Sequence, residues 1–306
     1  MKLIIHADDF GLSKGITNNI LDSFDNGILS STSVFANGYA FDYAINEYKK
    51  RSHFRLSIHI NLVEGKPLLP ADKVYMLINR EGEFCHSFPF LWLKYISGNQ
   101  KIKQTLKHQV KLEISAQINK VKECFDRDFK INIDSHLHYH LIPFVFETLL
   151  ELNEGFKFSY IRLPREQFFF PDAGKYLKNY FGVNLIKYFL LNSLSNKYMQ
   201  CLSTSKLSYC DYFVGVLFAG NMSEYVVKSA LLRIMLANGE KNIIEVLFHP
   251  GGASKDEELF WKNRKVLKNY YFSEWRKKER ETIKSPSFKV FIEDLQKRYE
   301  NLACYR

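Results

Sequence analysis

The sequence predicts a parallel α/β fold, with the sheet either open or closed into a barrel. Short apolar strands alternate with amphipathic helical stretches along most of the 306 residues, and that alternation is the mark of parallel strands joined through helices. The length is enough to bury a large core in one domain or two. No internal repeat, low-complexity tract or clear linker interrupts the pattern.

Met1 to Ala7 reads as a buried strand ending abruptly in Asp8-Asp9-Phe10-Gly11, followed by a helix from about Ser13 to Asn26 closed by Gly27. Ser30–Phe35 is strand-like, Phe41–Lys50 helical, and Phe54–Leu62 a second alternating strand. Glycines and prolines make Glu64–Phe90 loop-rich. A long amphipathic helix over about Lys101–Phe125 turns its charged face to solvent on the simplest reading. Ile131–Tyr139 reads as a strand, Phe144–Asn153 as a helix and Tyr160–Leu163 as a strand. Residues 166–208 carry an aromatic, helical stretch, Tyr176–Tyr198, with Leu185, Tyr188, Phe189 and Leu191 on its apolar side. Core, lid and membrane-facing patch all remain open for it. Regular alternation returns with strand Tyr212–Phe218, helix Ser223–Asn238, strand Ile243–Phe248 and helix Asp256–Asn269.

Net charge is +10, with basic residues spread along the chain; in the densest cluster, Trp275–Glu281, interleaved acids suggest a solvated helix face. Charge alone chooses none among nucleic acid, an anionic membrane surface and an acidic glycan, and no nucleic-acid recognition motif is present. The 26 Phe and 18 Tyr read first as core. Five cysteines, none spaced CxxC, suit a reducing compartment. The N-terminus does not read as a signal peptide, and no apolar run approaches a membrane span, so a cytoplasmic location is the expectation.

In parallel α/β folds, reactive side chains gather at the C-terminal ends of strands. Four such ends carry chemistry here. The first is Asp8-Asp9, costly after an apolar run unless solvated or holding a cation. In the second, Ser57, His59 and Asn61 share one face of an alternating strand. The third, Asp134-Ser135-His136-Leu137-His138-Tyr139-His140, is the densest, with three of the nine histidines within five residues. Strand alternation would align Asp134, His136, His138 and His140 on one side. One strand cannot wrap all three imidazoles around one ion, so one or two are expected as ligands. The fourth is His249-Pro250-Gly251, placed for proton transfer.

The ordered set Ala7-Asp8-Asp9-Phe10-Gly11-Leu12-Ser13, His59-Ile60-Asn61-Leu62-Val63-Glu64-Gly65-Lys66-Pro67-Leu68, Asp134–His140 and His249-Pro250-Gly251 resembles the YdjC-like carbohydrate deacetylases. Ser30–Ser33, Asn37-Gly38 and Arg162-Leu163-Pro164 support the match. The resemblance implies an irregular (β/α) barrel of the glycoside hydrolase/deacetylase type. It implies one catalytic domain over residues 1–306, with residues 166–208 as a lid or insertion shaping substrate choice. It implies a divalent metal, Mg²⁺ first and Zn²⁺ second, held by Asp9, His59 and His136. Asp8 would be the general base and His249, as imidazolium, the general acid. Asn61, Glu64, His138, His140 and Arg162 would line the substrate. The implied reaction is hydrolysis of the acetyl amide of an N-acetylated mono- or oligosaccharide. The basic, aromatic character of the chain leaves room for an anionic or lipid-linked acceptor and for peripheral membrane contact; a homodimer fits the family. The rival readings are another metal-dependent hydrolase such as a phosphoesterase, a catalytically silent carbohydrate-binding protein and, on charge alone, a nucleic-acid binder.

Overall fold

The structure, a computed structural model, describes residues 2–304 apart from 52, 172–175, 204, 239–241 and 263. Seven strands form one sheet: β1 Lys2–Phe10, β2 Ser31–Val34, β3 Arg55–Ile60, β4 Asn132–Ser135, β5 Tyr160–Ile161, β6 Tyr212–Val214 and β7 Ile243–Phe248. Their order is β5-β4-β3-β2-β1-β7-β6, and every neighbouring pair is parallel.

Side-chain reach shows how far this sheet curls. β5 and β7 lie five places apart, so a flat sheet would separate them by about 24 Å at the usual strand spacing. Instead Arg162, just beyond β5, donates from Nε to Glu245 Oε1 of β7 at 2.7 Å, and the Tyr160 hydroxyl bonds the same carboxylate. The gap between the outer strands is stitched by backbone bonds from Ile161 N to Ser208 O (2.9 Å) and from Phe213 N to Arg165 O (2.8 Å). The result is the irregular barrel that the motifs imply.

Registered partners in a parallel sheet share a face. The pairs His6↔Ser31, Ser33↔Ser57, His59↔Asp134 and Asn132↔Tyr160 therefore line the interior. Ile58↔Ile133 and Thr32↔Leu56 belong to the outer face, under the helices. The barrel interior is thus polar, and the apolar core lies between sheet and helices.

The helix Gln100–Lys122 is capped by Asn99, whose Oδ1 accepts from Ile102 N at 3.0 Å. Its charged face is only partly solvated, because Glu113 and Gln117 are buried. Glu113 accepts from Leu68 N (3.0 Å) and Leu69 N (3.1 Å), while Gln117 brackets the Asn61 backbone at 2.9 and 2.7 Å. These bonds fasten the loop after β3 at the barrel mouth.

Several expected boundaries move. β4 ends at Ser135, not Tyr139, because Leu137 (φ 50°) and His138 (φ 58°) are left-handed and turn the chain into a short 3₁₀ segment. β6 stops at Val214, before Gly215 at φ 144°, whose missing Cβ would meet Leu247. The stretch after Ser254 is a 3₁₀ segment, Lys255–Trp261, and a short helix, Lys265–Tyr271. The helix Val183–Leu202 buries Tyr188 and Leu191 but exposes Phe189. The helix Glu274–Lys284 is no simple solvated surface, since Arg276 and Glu279 are buried. A terminal helix, Pro286–Cys304, was not anticipated. Among the described residues, no helix is long and apolar enough to cross a membrane.

One contact fixes the β1 exit. A Cβ on Gly38 would lie 2.1 Å from the Gly11 carbonyl oxygen, which is backbone and cannot rotate away. Gly38→Ala should therefore cost about 2 kcal/mol as an overpacking change. It should also weaken divalent-metal binding, because the displaced loop carries Asp9. Urea denaturation and metal titration of purified variant and wild type check both effects; unchanged values would mean that the loop yields freely.

Candidate active site

Adjacent residues on a strand normally point to opposite faces, so Asp8 and Asp9 should not meet in one site. They do because the β1–β2 register shifts between Ala7 and Phe10 and Asp9 takes φ 77°, a left-handed conformation that aspartate tolerates better than most residues. Asp8 stays with the interior row, and Asp9 is swung to the mouth beside His59 and His136.

Asp9, His59 and His136 are fully buried, and each offers one ligand atom, all within 4.8 Å of one another. His136 Nδ1 lies 3.4 Å, and His59 Nε2 3.9 Å, from Asp9 Oδ1. Asp9 Oδ1 and His59 Nε2 are buried with no hydrogen-bond partner, an expensive state that a bound cation would relieve. The far side of each imidazole is held by a carboxylate: Asp134 Oδ1 on His59 Nδ1 at 2.6 Å and Glu64 Oε1 on His136 Nε2 at 3.0 Å. Carboxylate-backed imidazoles are the usual support for metal-binding histidines. Arg276 Nη2 donates to the other oxygen of Asp9 at 2.7 Å and fixes its orientation. Burial disfavours a charged His136, yet the Asp9 and Glu64 carboxylates on either side of it outweigh burial and push the ring up to about 9. That proton marks where positive charge is wanted. The residues present fit a divalent cation.

A second group, His6, Asp8 and Asp134, has similar spacing but is already supplied with a cation. Arg162 grips Asp8 with both Nη atoms (2.9 and 3.0 Å) and reaches Asp134 Oδ2 at 3.1 Å. Burial alone would raise the Asp8 carboxyl; Arg162, His59 and His6 hold it well below the usual carboxylate range instead. Asp8 Oδ1 also accepts from Ser33 and faces His6 Nε2, whereas Oδ2 takes only the Arg162 bond among the described contacts.

His249 follows β7, with its backbone N donating to Glu279 Oε2 at 2.6 Å and its ring 5.8 Å from that of Tyr270. Burial pushes the imidazole down to about 4, although Asp9 and Asp8 pull it the other way. It therefore rests neutral near pH 7, not as the imidazolium expected from the motif. His138 sits at the mouth with Nδ1 buried and unpartnered, the free polar atom of a group meant to meet something.

Four residues expected on the substrate rim lie beneath it. Asn61 spends its amide on Val63 N, Glu64 N and Glu64 O, shaping the loop. Glu64 bonds Trp261 Nε1 at 2.8 Å, the Tyr271 hydroxyl and His136. His140 is closed at both nitrogens, by Ser135 Oγ (2.6 Å) and the Arg162 carbonyl (2.8 Å). Arg162 is wholly buried. Four others were not read from the sequence as part of the site. His6 and Glu245 alternate correctly with Asp8 and along β7, a signal that was available. Arg276 and Tyr271 arrive from distant helices with no local signal.

A barrel bearing a carboxylate–bis-imidazole cluster that could hold a metal ion, and a separate ionised aspartate, at its strand C-termini has the architecture of a hydrolase scaffold. The chain belongs to the YdjC-like protein family, whose model matches residues 2–294. It is 26% identical to a carbohydrate deacetylase of Thermoanaerobacter pseudethanolicus, over 87% of this chain and 99% of that one. It is 34% identical to a carbohydrate deacetylase of Clostridium beijerinckii over 50% of this chain, and 32% identical to a chitooligosaccharide deacetylase of Escherichia fergusonii over 47%. Those two matches span only 56% and 52% of the relatives' own lengths. A crystal structure from Enterococcus faecalis V583, provisionally described as a cellobiose-phosphate cleavage protein, superposes with TM-score 0.65 at 20% identity. That superposition covers 96% of this chain and 94% of the other, and it bears on the fold alone.

His140 gives the site a pH signature. Burial pushes its ring down to about 4, against 6.5 for the ordinary group. Above pH 6.5 both folded and unfolded chains are neutral at this position. As pH falls from 6.5 towards 4 only the unfolded chain takes up the proton, so stability is lost, by about 3 kcal/mol in full. Urea midpoints of wild type and His140→Gln at pH 7.5, 5.5 and 4.5 check this. The variant should start less stable and lose less on acidification; equal slopes would mean that His140 titrates normally.

Proposed function

We propose that this chain is a metal-dependent carbohydrate deacetylase, one catalytic unit that hydrolyses the acetyl amide of an N-acetylated mono- or oligosaccharide. The observation that carries this reading is the paired orphan atoms, Asp9 Oδ1 and His59 Nε2, facing His136 in a buried cluster with its imidazoles braced from behind. The family's named deacetylases agree with it.

A divalent cation held by Asp9, His59 and His136 would polarise the acetyl carbonyl and acidify a water. The remaining chemistry belongs to the chain. Asp8 is held ionised by Arg162, and its Oδ2 keeps a lone pair able to accept the water's proton. His249 begins neutral, so it can protonate the departing amine nitrogen only after the proton that Asp8 takes from the water has passed to its ring. Arg276 and Asp134 hold Asp9 and His59 in place throughout. His138 would line the substrate with the rest of its ring, its unpartnered Nδ1 being buried. Residues 166–208, which match none of the site motifs, would shape acceptor choice, including any anionic or lipid-linked acceptor.

Two imidazoles and one carboxylate suit Zn²⁺ and its neighbours by softness, whereas Mg²⁺ prefers oxygen donors and bound waters. Both ions belong in the assay. A two-metal phosphoesterase is disfavoured because Arg162 already fills the His6–Asp8–Asp134 cluster.

Acetate release from N-acetylglucosamine oligomers, with Mg²⁺, Zn²⁺ or EDTA, tests the reading. Asp8→Asn should lower turnover at least a thousandfold while still binding one metal per chain, and His136→Ala should lose both. Full activity in both variants, or two metals per chain, would overturn the assignment. Metal bound without acetate release from any acetylated glycan would favour a silent carbohydrate-binding protein.

A further inference from the structure

The opposite end of the barrel holds a second cavity, of about 560 Å³, within the size range of small-molecule sites. It is lined by the N-terminal ends of the strands, where conserving a scaffold normally asks only for packing. Three cations converge on it from separate strands: Lys2 at the start of β1, Arg55 at the start of β3 and Lys130 before β4. None of the three forms an ion pair with a carboxylate among the described residues.

Lys2 and Lys130 stand exposed at the rim, and Arg55 is half-buried between them and the sheet. The Arg55 guanidinium lies 4.4 Å over the ring of Tyr160 and donates from Nη2 to Asn132 Oδ1 at 3.2 Å, so its fork is fixed. Burial, Arg55 and Lys130 together push the Lys2 ammonium below its ordinary range, as expected where like charges gather without a counter-ion. Ser159, Ser208 and the half-buried Phe129 and Tyr48 complete the wall, with Phe54 buried behind it. A planar guanidinium and two ammoniums around a part-apolar cavity are the donor types by which proteins hold phosphoryl oxygens.

We propose that this basal cavity binds a small phosphorylated metabolite, its phosphoryl group between Lys2, Arg55 and Lys130 and its organic body against Tyr48 and Phe129. The site is separate from the catalytic mouth, and its occupancy does not depend on what reaction the mouth performs.

Titration calorimetry on the EDTA-treated full chain, with a hexose 6-phosphate, the unphosphorylated hexose and inorganic phosphate, tests this at constant ionic strength with chloride as control. Removing metal keeps phosphate from binding at the mouth. The hexose phosphate should bind with one-to-one stoichiometry, inorganic phosphate at least threefold more weakly, and the plain hexose not at all. Lys2→Ala combined with Lys130→Ala should weaken hexose phosphate binding at least tenfold while leaving divalent-metal affinity unchanged. That unchanged metal binding also shows that the variant is folded. Equal binding of inorganic and organic phosphate would reduce the site to a bare anion hole and overturn the metabolite assignment. No binding by wild type, or undiminished binding by the double variant, would overturn the site itself.

Discussion

The barrel is organised around one buried guanidinium. Arg162 is wholly inaccessible, and its Nε, Nη1 and Nη2 atoms are spent on Glu245, Asp8 and Asp134 from three different strands. Burying an unpaired charge costs several kcal/mol, so neither the arginine nor the carboxylates could occupy this interior alone. Their mutual need pulls the β5 end of the sheet across to β1 and β7, and that pull closes the barrel. A hydrophobic interior would be simpler to stabilise. It would also leave nothing to hold Asp8 ionised or to brace the back of His59.

From this centre the charges are layered. Asp8, Asp9, Asp134, Glu64 and Glu245 face only two guanidiniums, Arg162 and Arg276, so neutral imidazoles leave the mouth three charges short of balance. The deficit lies nearest Asp9 and Glu64, which is why His136 is pushed up to about 9 while buried His140, turned to a serine and a carbonyl, is pushed down to about 4. Two histidines four residues apart are thus driven in opposite directions by what each ring touches.

Much of this was legible in the sequence, and the reason is local. His59, Asp134, His136 and His249 stand at the ends of apolar strands, where composition changes over two or three residues, and both the alternating architecture and the site clustering follow from that. What failed depends on backbone that composition does not encode. Leu137 and His138 read as continued alternation but are left-handed, so His140 turns back into the protein and away from the substrate rim. Arg276 sits in a run of lysines, glutamates and arginines that looks like any solvated helix. Only the tertiary position of Glu274–Lys284 shows that one face of that run, Arg276 with Glu279, is buried against Asp9 and the His249 backbone. Asn61 and Glu64 were correctly singled out as unusual, but polarity at a strand end does not say whether a group faces ligand or loop.

The two ends of the barrel therefore differ in sign for a reason set by the chain itself. Carboxylates collect at the mouth, where Arg162 and the imidazoles answer them, and Lys2, Arg55 and Lys130 collect at the base, where the Asp211 carboxylate is turned to the Ile243 backbone. Between them stands Tyr160, its hydroxyl on Glu245 and its ring beneath Arg55. The tyrosine lets the two sets approach without pairing: its hydroxyl satisfies the lowest carboxylate of the upper set, and its π face accepts the guanidinium of the lower one.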